Sequence, residues 1–597
     1  RALLLPGWET NSIPETTGRT FAVKGYEVTG NTLLTKETLD LIFEPYVGTN
    51  VSLGAIQAGL KDLQAVYRDR GFPTVSVALP QQTLSDGVVK VNAFEGRLSE
   101  ILVVNNHYFS SNNVMRALPG LRTNMILTGP IFQAELDRAN ANQDRQIYPQ
   151  IEPGLEENTT ALRLKVNDRL PLHGKVELNN QSSPGTPEMR VNSSAVYNNL
   201  WQHEHSLGLQ YSFSPELFKS GNQWAPYDVP LVANYSGFYR MPLGDPDPIA
   251  DIIAARPGNF GYDEATRRFN LPPPSGRPEL NLYASRSVID TGVMTIFNDY
   301  VYNFGTNWLT QHDVQRDLTE NDTFGARLTI PLLDANKSAS FSGGFDYKIY
   351  DLVSHKTNIA ILGEITGLPE GPVTNYYPNV VPSANSHHLE YLPLSIRYDA
   401  VWRDARGTTA FGVGMAANAW HSGSISNLQS ITGSAKSQGH WLVLTPSLTR
   451  DFIFHTNWTV SLHTEAQWAN EPLISNEKFG VGGMANVRGY KEGEAFGDNG
   501  WRVNLDLKTP PHTVGTVFGK ELLTVRGSFY MDYAETYLLE VPKGVDGFVP
   551  LWGTGAGAVI SVGSHWDARL LFSVPLLKTA STTPGQPRFN FSITGQF

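Results

Sequence analysis

The 597-residue chain is longer than one ordinary domain, so its length predicts more than one folding unit. Charged residues make up 17% of it, which is below the roughly 25% of soluble domains. The formal net charge of −11 argues against a nucleic-acid partner, and the absence of cysteine excludes thiol catalysis, disulfides and cysteine-bound metals. No apolar run approaches the ~18 residues of a transmembrane helix, so any membrane crossing must be made by strands.

The first residues of the chain predict no regular element. The run Arg1 to Leu5 is too short for the apolar core of a signal peptide, so we expect a mature form whose export signal has been removed. Residues 1–20 are assigned as an N-terminal extension.

Residues 21–96 predict a small unit with the element order β-α-α-β-β. The second helix opens at Ser52 and carries an apolar face as far as Tyr67, before Gly71 ends it. A turn at Asp86-Gly87 joins the last two strands. The predicted ranges are a strand at 21–29, helices at 35–43 and from residue 52, and strands at 74–79 and 88–94.

Residues 97–169 repeat this order, which constitutes an internal repeat of ~70 residues per unit. The second helix of the repeat begins at Pro130, because proline is favoured at the first helical position. Ile131, Leu136 and Ala139 are predicted to face inward. The predicted ranges are a strand at 98–104, a helix at 110–118, the helix from residue 130, and strands at 145–151 and 160–166.

From residue 170 to 597, helix signals nearly vanish and apolar and polar residues alternate. A strand with one apolar and one polar face fits a wall between lipid and water. At roughly 25 residues for a strand and its connection, the segment accommodates about sixteen strands. The clearest predicted strands are 392–402, 458–468, 501–507, 523–533, 566–574 and 589–597.

The last of these strands has the most regular alternation. Phe589, Phe591, Ile593 and Phe597 share one face, and polar residues occupy the other. Such a strand is an aggregation hazard in a soluble protein, whereas a transmembrane barrel requires apolar side chains toward lipid and no free edge. A soluble β-sandwich also shows alternation, but the strand number and the aromatic strand ends favour an all-β transmembrane barrel of about 16 antiparallel strands, preceded by two small α+β domains.

Several motifs resemble one known family. The tandem β-α-α-β-β units are similar to POTRA domains, with residues 21–96 as POTRA 1 and 97–169 as POTRA 2. The segment 479–490 resembles the sixth extracellular loop of the TpsB transporters of two-partner secretion, which are haemolysin-activator-like members of the BamA-like superfamily. Its most specific element is the tetrapeptide Val487, Arg488, Gly489 and Tyr490. Further matching stretches are 67–72, 79–81, 94–97 and 197–200.

The resemblance implies a loop, here residues 473–500, that folds back into the barrel. In the family, the loop arginine pairs with an aspartate on the inner wall, which corresponds to Arg488 and Asp532. The alternation agrees independently, because Phe529 and Met531 take the outward face and leave Asp532 inward. We expect this pair to hold one conformation of a movable plug rather than to stabilise the fold.

Three features depart from the family pattern or only imitate it. Its best-known members carry an N-terminal plug helix, but Pro6 and Pro14 interrupt the corresponding segment here, so that helix is absent or was lost. Residues 244–278 are long and proline-rich where a short periplasmic turn is expected, and we favour a tolerated insertion over a partner contact. A second Val-Arg-Gly at 525–527 lies within a strand, lacks the following aromatic and is interpreted as chance.

Other short patterns add no catalytic function. Gly553, Gly555 and Gly557 imitate a dinucleotide-binding fingerprint, but no helix follows, and we expect them to clear space for the inward loop. The histidines of 203–205 and 387–388 could ligate a metal, yet such clusters in turns and loops are normally solvated. We therefore predict no cofactor, no metal and no enzymatic activity.

The sequence thus predicts a translocator in the outer membrane of a Gram-negative cell, with its POTRA domains in the periplasm. The expected partners are outer-membrane lipid, a large secreted exoprotein such as a TpsA-like adhesin or haemolysin, and the barrel-assembly machinery during biogenesis. The exoprotein would bind the POTRA domains by strand addition and cross the lumen when the Arg488 loop shifts. The alternatives are an insertase for outer-membrane proteins, although insertases typically carry more POTRA units, and a passive porin.

Overall fold

A computed structural model describes residues 20–597, except 84–85, 157–158, 220–227, 245–259, 275–276, 292–293, 305–306, 335–336, 369–370, 455, 518, 520 and 543–544. The extension predicted at 1–20, Thr20 apart, and much of the 244–278 stretch therefore lie outside the described residues. The chain divides into two compact units, Arg1–Leu170 and Pro171–Phe597. In the described part of the chain, no helix has the length and apolarity needed to cross a membrane.

The first half of the N-terminal unit is built around one amphipathic helix, α2. The Ser52 hydroxyl caps this helix, which buries Leu63 and Tyr67 against the strands. The main sheet has the order β2-β5-β4, with β2 parallel to β5 and β4 antiparallel to it. The bounds are β1 Thr20–Val23, β2 Gly25–Thr29, α1 Lys36–Phe43, β3 Gly48–Ser52, α2 Leu53–Asp69, β4 Val75–Ala78 and β5 Val88–Glu95.

Two details of this half differ from the sequence interpretation. The strand expected at 21–29 is broken at Lys24, whose N–H donates to the carbonyl of Gly87 at 2.6 Å. Strand β3 was not predicted. It pairs antiparallel with β1, and Thr20 of β1 lies opposite Ser52 of β3. Its composition, Gly-Thr-Asn-Val-Ser, is typical of a turn. Only pairing with the distant β1 makes it a strand, which is a tertiary effect that local propensity does not contain.

The second half of the N-terminal unit repeats the arrangement in the sheet order β6-β8-β7, with β6 parallel to β8. The predicted inward position of Ile131 is wrong, because its side chain is 62% exposed. Helix α4 instead buries Phe132, Leu136 and Ala139, which lie at helical spacing on one face. The bounds are β6 Arg97–Val104, α3 Ser111–Arg116, α4 Gly129–Asn140, β7 Arg145–Pro153 and β8 Thr159–Asp168.

The C-terminal unit is a closed antiparallel β-barrel, which confirms the predicted fold class. Strands β15 and β16 both pair with β17, so the two together count as one strand of the wall. Strands β25 and β26 both pair with β27 and are counted in the same way. The described strands therefore form a wall of sixteen strands. The bounds are β9 Leu172–Asn179, β10 Arg190–Leu200, β11 His205–Phe213, β12 Val232–Pro242, β13 Gly261–Asp263, β14 Arg268–Asn270, β15 Glu279–Asp290, β16 Met294–Phe304, β17 Asn307–Asp334, β18 Lys337–Leu368, β19 Gly371–Asp404, β20 Gly407–His421, α5 Ile425–Thr432, β21 Leu442–Ile453, β22 Thr459–Ala469, β23 Phe479–Val481, β24 Ala495–Gly497, β25 Asn499–Lys508, β26 His512–Val517, β27 Glu521–Tyr537, β28 Phe548–Val562, β29 Trp566–Pro575 and β30 Arg588–Gln596.

An apolar band covers the outside of the barrel. On β19 the side chains of Leu394, Ile396 and Trp402 are exposed, whereas Arg397 lies on the lumenal face. The outward residues become charged at Glu390. At ~3.3 Å per residue and a tilt near 40°, ten residues cover about 25 Å of membrane height, which is the apolar height of outer-membrane barrels.

Several barrel strands extend beyond their predicted ranges. The prediction of 392–402 captured only the part of β19, Gly371–Asp404, that crosses the apolar band. Outside lipid both faces of a strand meet water, so the alternation that reveals a strand in the sequence disappears. The extra length then depends on pairing with neighbouring strands, as β18 pairs with β19 throughout most of their length.

The terminal strand closes the barrel against the first. Ser592 to Gln596 of β30 pair with Asn179 to Lys175 of β9. Phe589, Phe591, Ile593 and Phe597 lie on the outward face, while Asn590 and Thr594 are buried on the inward face. The ring of Phe597 lies over Gly174, where a Cβ atom would be 2.1 Å from the ring, so only glycine leaves room for the terminal aromatic.

Candidate functional site

The segment between β22 and β25 folds back into the barrel lumen. Its base is the short antiparallel pair β23 and β24. Beyond that pair, Val487 is fully buried and Tyr490 is 1% exposed, and both pack against Ala534 and Leu551 of the barrel wall. This apolar contact seats the tetrapeptide predicted from the sequence against β27 and β28.

Glycines allow the loop backbone to turn and to approach the wall. Gly482, Gly483 and Gly489 have φ angles of +104°, +116° and +102°, a region that other residues rarely adopt. On β28, a Cβ atom at Gly553 would lie 1.9 Å from the carbonyl oxygen of Arg488. Of the three β28 glycines expected to clear space, Gly553 is therefore the one that contacts the loop arginine.

Arg488 reaches Asp532 on the inner face of β27. Its Nε and Nη2 atoms donate to the two Asp532 carboxylate oxygens at 2.7 and 2.5 Å, and its backbone N–H donates at 3.0 Å. The Asp532 side chain is completely buried. The planar guanidinium matches the two carboxylate oxygens, a geometry that lysine cannot reproduce.

The arginine has further wall partners that the sequence interpretation missed. Arg488 Nη1 donates to Asp506 of β25 at 2.6 Å, and the guanidinium lies 3.7 Å from the centre of the Tyr530 ring. Asn504 Nδ2 donates to Asp532 at 2.8 Å and also to the carbonyl of Asn486. Asn504 and Asp506 belong to the predicted strand 501–507, whose interleaved residues are polar. Their meeting with Arg488 depends on the pairing of Asn504 with Asp532 between β25 and β27, which alternation alone does not give.

The amino-acid sequence matches two family models. The POTRA domain of ShlB type matches residues 21–96, and the haemolysin secretion/activation protein ShlB/FhaC/HecB matches residues 381–559, which contain the loop and Asp532. Over both matched segments, the chain is similar to this group of outer-membrane transporters. The resemblance to the TpsB family is thereby confirmed.

Two relatives are similar in sequence to this chain over most of its length. The outer membrane transporter CdiB of Escherichia coli is 21% identical, covering 96% of this chain and 82% of CdiB. The heme/hemopexin transporter protein HuxB of Haemophilus influenzae (strain ATCC 51907 / DSM 11121 / KW20 / Rd) is 21% identical, covering 90% and 80%.

Two solved structures share the fold. CdiB from Escherichia coli gives a TM-score of 0.52 at 16% identity, covering 100% of this chain and 93% of that one. BamA from Haemophilus ducreyi lacking POTRA domains 1–3 gives 0.50 at 12% identity, covering 97% and 99%.

A buried acid lies near the tetrapeptide of this transporter. Glu492 accepts a hydrogen bond from the Met484 N–H at 2.7 Å, and its own N–H donates to the carbonyl of Ser182 at 3.0 Å. Burial raises the pKa of Glu492 to about 8, and the nearby carboxylates of Asp263 and Glu264 act in the same direction. The carboxyl is therefore largely protonated in the seated loop at neutral pH.

Tyr490 and Glu494 attach the other side of the loop to β28 and to the connection between β29 and β30. The Tyr490 hydroxyl accepts from the N–H of Leu577 at 3.1 Å and donates to the carbonyl of Trp552 at 3.1 Å. Glu494 accepts from the hydroxyls of Ser581, at 2.6 Å, and Thr579. The loop is thus held on two sides by polar contacts that can be exchanged for water.

The histidine clusters of the transporter have protein partners. Glu204 forms an ion pair with Arg277 at 2.8 Å, and His205 contacts the hydroxyl of Tyr239. His388 lies 2.5 Å from Asp351 on the outer face. Within the described residues, no three His, Asp or Glu side chains are placed to hold a metal ion.

Proposed function

We propose that this transporter exports a large partner exoprotein across the outer membrane by two-partner secretion. One observation carries the proposal: the loop that folds into the lumen places one arginine between two wall carboxylates, Asp532 and Asp506. Such a contact is strong while intact and is lost as a unit when the arginine moves, which suits a gate better than a permanent brace.

The exoprotein binds the POTRA region by adding a strand to a free sheet edge. In the first half of the N-terminal unit, the outer edge of β4 is covered, because Gln64 donates to the Val75 carbonyl at 2.6 Å and accepts from the Val77 N–H at 2.9 Å. The opposite edge, β2, has no such side-chain cover in the part of the chain that the structure describes. Strand β2 is therefore the proposed docking edge.

Transport then proceeds without a nucleotide. The exoprotein arrives unfolded in the periplasm, the Arg488 loop shifts, and the chain threads the lumen. Folding of the exported protein outside the cell gives the process its direction. Leaving Asp532 and Asp506 without their cation costs about 3–5 kcal/mol if both stay buried, so the loop must move in a way that admits water.

The main rival function is assembly of outer-membrane proteins. The likeness to BamA is one of fold alone, at 12% identity. The relatives CdiB and HuxB are named as transporters and match this chain over most of its length, which favours export.

Export by an Arg488→Ala variant tests the gate. The partner is found first, as the large protein that disappears from the medium when this chain is removed. We expect its secretion to fall by about tenfold or more while folded barrel levels stay normal, because the loop loses its wall contact. The matched control is Arg526→Ala, since Arg526 also follows a valine and precedes a glycine but bonds Thr509 and Thr459 within the wall. Normal secretion by the Arg488→Ala variant at normal barrel levels contradicts the proposal.

A further inference from the structure

The connection between β12 and β15 places a hairpin inside the barrel. By strand count from β9, this connection lies at the periplasmic end, where a turn of a few residues would suffice. Its described residues 260–274 contain the paired strands β13 and β14. Phe260 packs edge-on against Phe238 at 4.8 Å between ring centres, and Phe269 stacks on Tyr283 at 5.1 Å.

Both wall aromatics face the lumen. Phe238 and Tyr283 are 2% and 7% exposed, whereas Tyr235 and Leu282 on the alternate faces of the same strands are exposed to the outside. The hairpin therefore lies within the barrel. The sequence interpretation of 244–278 as a tolerated insertion in place of a short periplasmic turn did not anticipate a hairpin in the lumen.

The hairpin reaches the extracellular end of the wall. Glu264, at its tip, forms an ion pair with Arg190 at 2.8 Å. Arg190 is the first residue of β10 and pairs with Asn179, the last residue of β9, which is the outer end of both strands. The Arg190 side chain is only 2% exposed, so the pair is shielded from solvent. At the other end, Arg240 donates to the carbonyls of Pro272 and Pro273.

The hairpin also holds the inward loop. Arg268 Nη2 donates to the carbonyl of Glu477 in the loop at 3.2 Å and to Gln467 of the wall strand β22 at 2.9 Å. The Arg267 guanidinium lies 3.9 Å from the centre of the Phe496 ring. A Cβ atom at Gly480 would be 2.3 Å from the Ala265 carbonyl oxygen, so the two segments meet backbone to backbone.

Closure of the wall does not depend on the hairpin. Strands β12 and β15 pair directly and without interruption from Val232 and Ile289 to Pro242 and Glu279. In the described part of the chain, the hairpin is attached instead by aromatic packing, by the ion pair of Glu264 with Arg190 and by hydrogen bonds, so it can leave the lumen while the wall stays intact. The two wall strands that it connects end at the periplasmic side, at Pro242 and Glu279, where an arriving polypeptide meets the barrel first.

We propose that residues 260–271 form a second plug, which enters the lumen from the periplasmic side, clasps the Arg488 loop and must withdraw before a polypeptide can pass. The need for withdrawal during transport rests on the proposed function. Occlusion of the empty barrel does not, so the two can fail separately.

Channel conductance in planar bilayers tests occlusion without any partner protein. A Glu264→Arg variant places two cations together at the buried contact with Arg190, and we expect its open probability to rise by about tenfold or more. The reciprocal double variant Arg190→Glu/Glu264→Arg should return the conductance toward the native level. The heat-dependent gel mobility of each variant verifies a folded barrel, and Glu264→Gln is the milder substitute if Glu264→Arg does not fold. Native conductance in the folded Glu264 variants overturns the plug.

Cross-linking tests withdrawal. The chain has no cysteine, so an Arg190→Cys/Glu264→Cys protein offers one defined pair for a short bifunctional maleimide. We expect the cross-linked protein to stay closed in bilayers and to export no partner, while the untreated double variant and maleimide-treated single variants export. Normal export by the cross-linked protein overturns withdrawal. If no variant or native protein exports any partner but the Glu264→Arg channel opens, the secretion proposal fails and the plug stands.

Discussion

Asp532 illustrates how much of the site depends on one wall residue. Its two oxygens accept from three nitrogens of Arg488 and from Asn504, so the buried carboxylate is fully hydrogen-bonded only while the loop is seated. Asp506 is different, because its side chain is 18% exposed and it accepts from a single arginine nitrogen. We interpret Asp532 as the seat of the loop and Asp506 as a supplementary partner that also remains close to water.

The sequence could predict Asp532 but not its surroundings. Strict alternation in β27 sets which side chains face the lumen, so an inward aspartate on a strand follows from residue order alone. The meeting of Asp506, Asn504 and Tyr530 with Arg488 depends on the register between β25 and β27, which are joined in the chain through β26. Register is set by cross-strand packing and hydrogen bonds, which a single sequence does not display.

Glu492 gives the seated loop a dependence on pH. Its pKa is about 8 when buried and has an ordinary value of 4.5 in water, so below about pH 4.5 the carboxyl is protonated in both states and does not oppose seating. As the pH rises toward about 8, only the displaced loop gains free energy by ionising, and seating weakens. We expect the open probability in bilayers to increase from about pH 5 to about pH 8.

A Glu492→Gln variant should lose most of this pH dependence, because glutamine still accepts from the Met484 N–H but does not ionise. The charged groups nearest to Glu492, namely Asp263, Glu264 and Arg588, remain in the variant and control for their own titration. An unchanged pH profile in Glu492→Gln would show that another group governs the opening.

At the scale of elements, strands and helices with strong local patterns could be predicted from the sequence. Elements that form only by contact with residues distant in the chain could not. Helix α2 follows from its Ser52 cap and apolar face, and β30 from its alternation. Strand β3 exists because of β1, and the lumenal hairpin at 260–271 exists because lumen-facing aromatics receive it. Neither partner is recognisable from the segment itself.

The covered edge of β4 makes a directional prediction for partner binding. A photo-cross-linking amino acid at Glu27, which is exposed on β2, should capture the exoprotein in transit. The same probe at Ser76, exposed on β4, is the matched control and should give little product, because Gln64 occupies that edge. The adducts are separated by size and identified by mass spectrometry.

The identity of the adducts also distinguishes the two leading functions. One large secreted protein bound at Glu27 supports export. A range of outer-membrane barrel proteins at the same position supports assembly and contradicts the export proposal. Equal capture at Glu27 and Ser76 would contradict β2 as the docking edge.

At the scale of the whole molecule, the barrel was the most predictable feature, because lipid outside and water inside impose one rule on every strand. The rule applies only within the apolar band. The number of strands, near sixteen, could therefore be predicted from the sequence, but the outer parts of β17, β18 and β19 could not. The same limit explains why alternation could not anticipate a hairpin packed within the lumen, where side chains meet neither lipid nor bulk water.

The lipid-facing rule predicts a stability difference between adjacent residues of β29. Leu570 pairs with Phe591 and Ala558 on the outer face near the middle of the strand, and Arg569 faces the lumen. A Leu570→Arg substitution should lower the free energy of unfolding by about 2–4 kcal/mol, since it puts a cation into the bilayer midplane. Arg569→Gln is the matched control on the wet face and should change it little. Urea titration in lipid vesicles, followed by gel mobility, measures both. Equal stability of the two variants would contradict the assigned lipid face.

The inward loop continues at both ends directly into wall strands, β22 on one side and β25 on the other. A loop displaced by a passing polypeptide therefore remains covalently tethered and cannot diffuse away. Its effective concentration at the empty seat stays on the order of the millimolar values typical of short tethers. Resealing is then a first-order event that needs no second component. The permeability barrier of the cell is interrupted only for as long as a single chain occupies the passage.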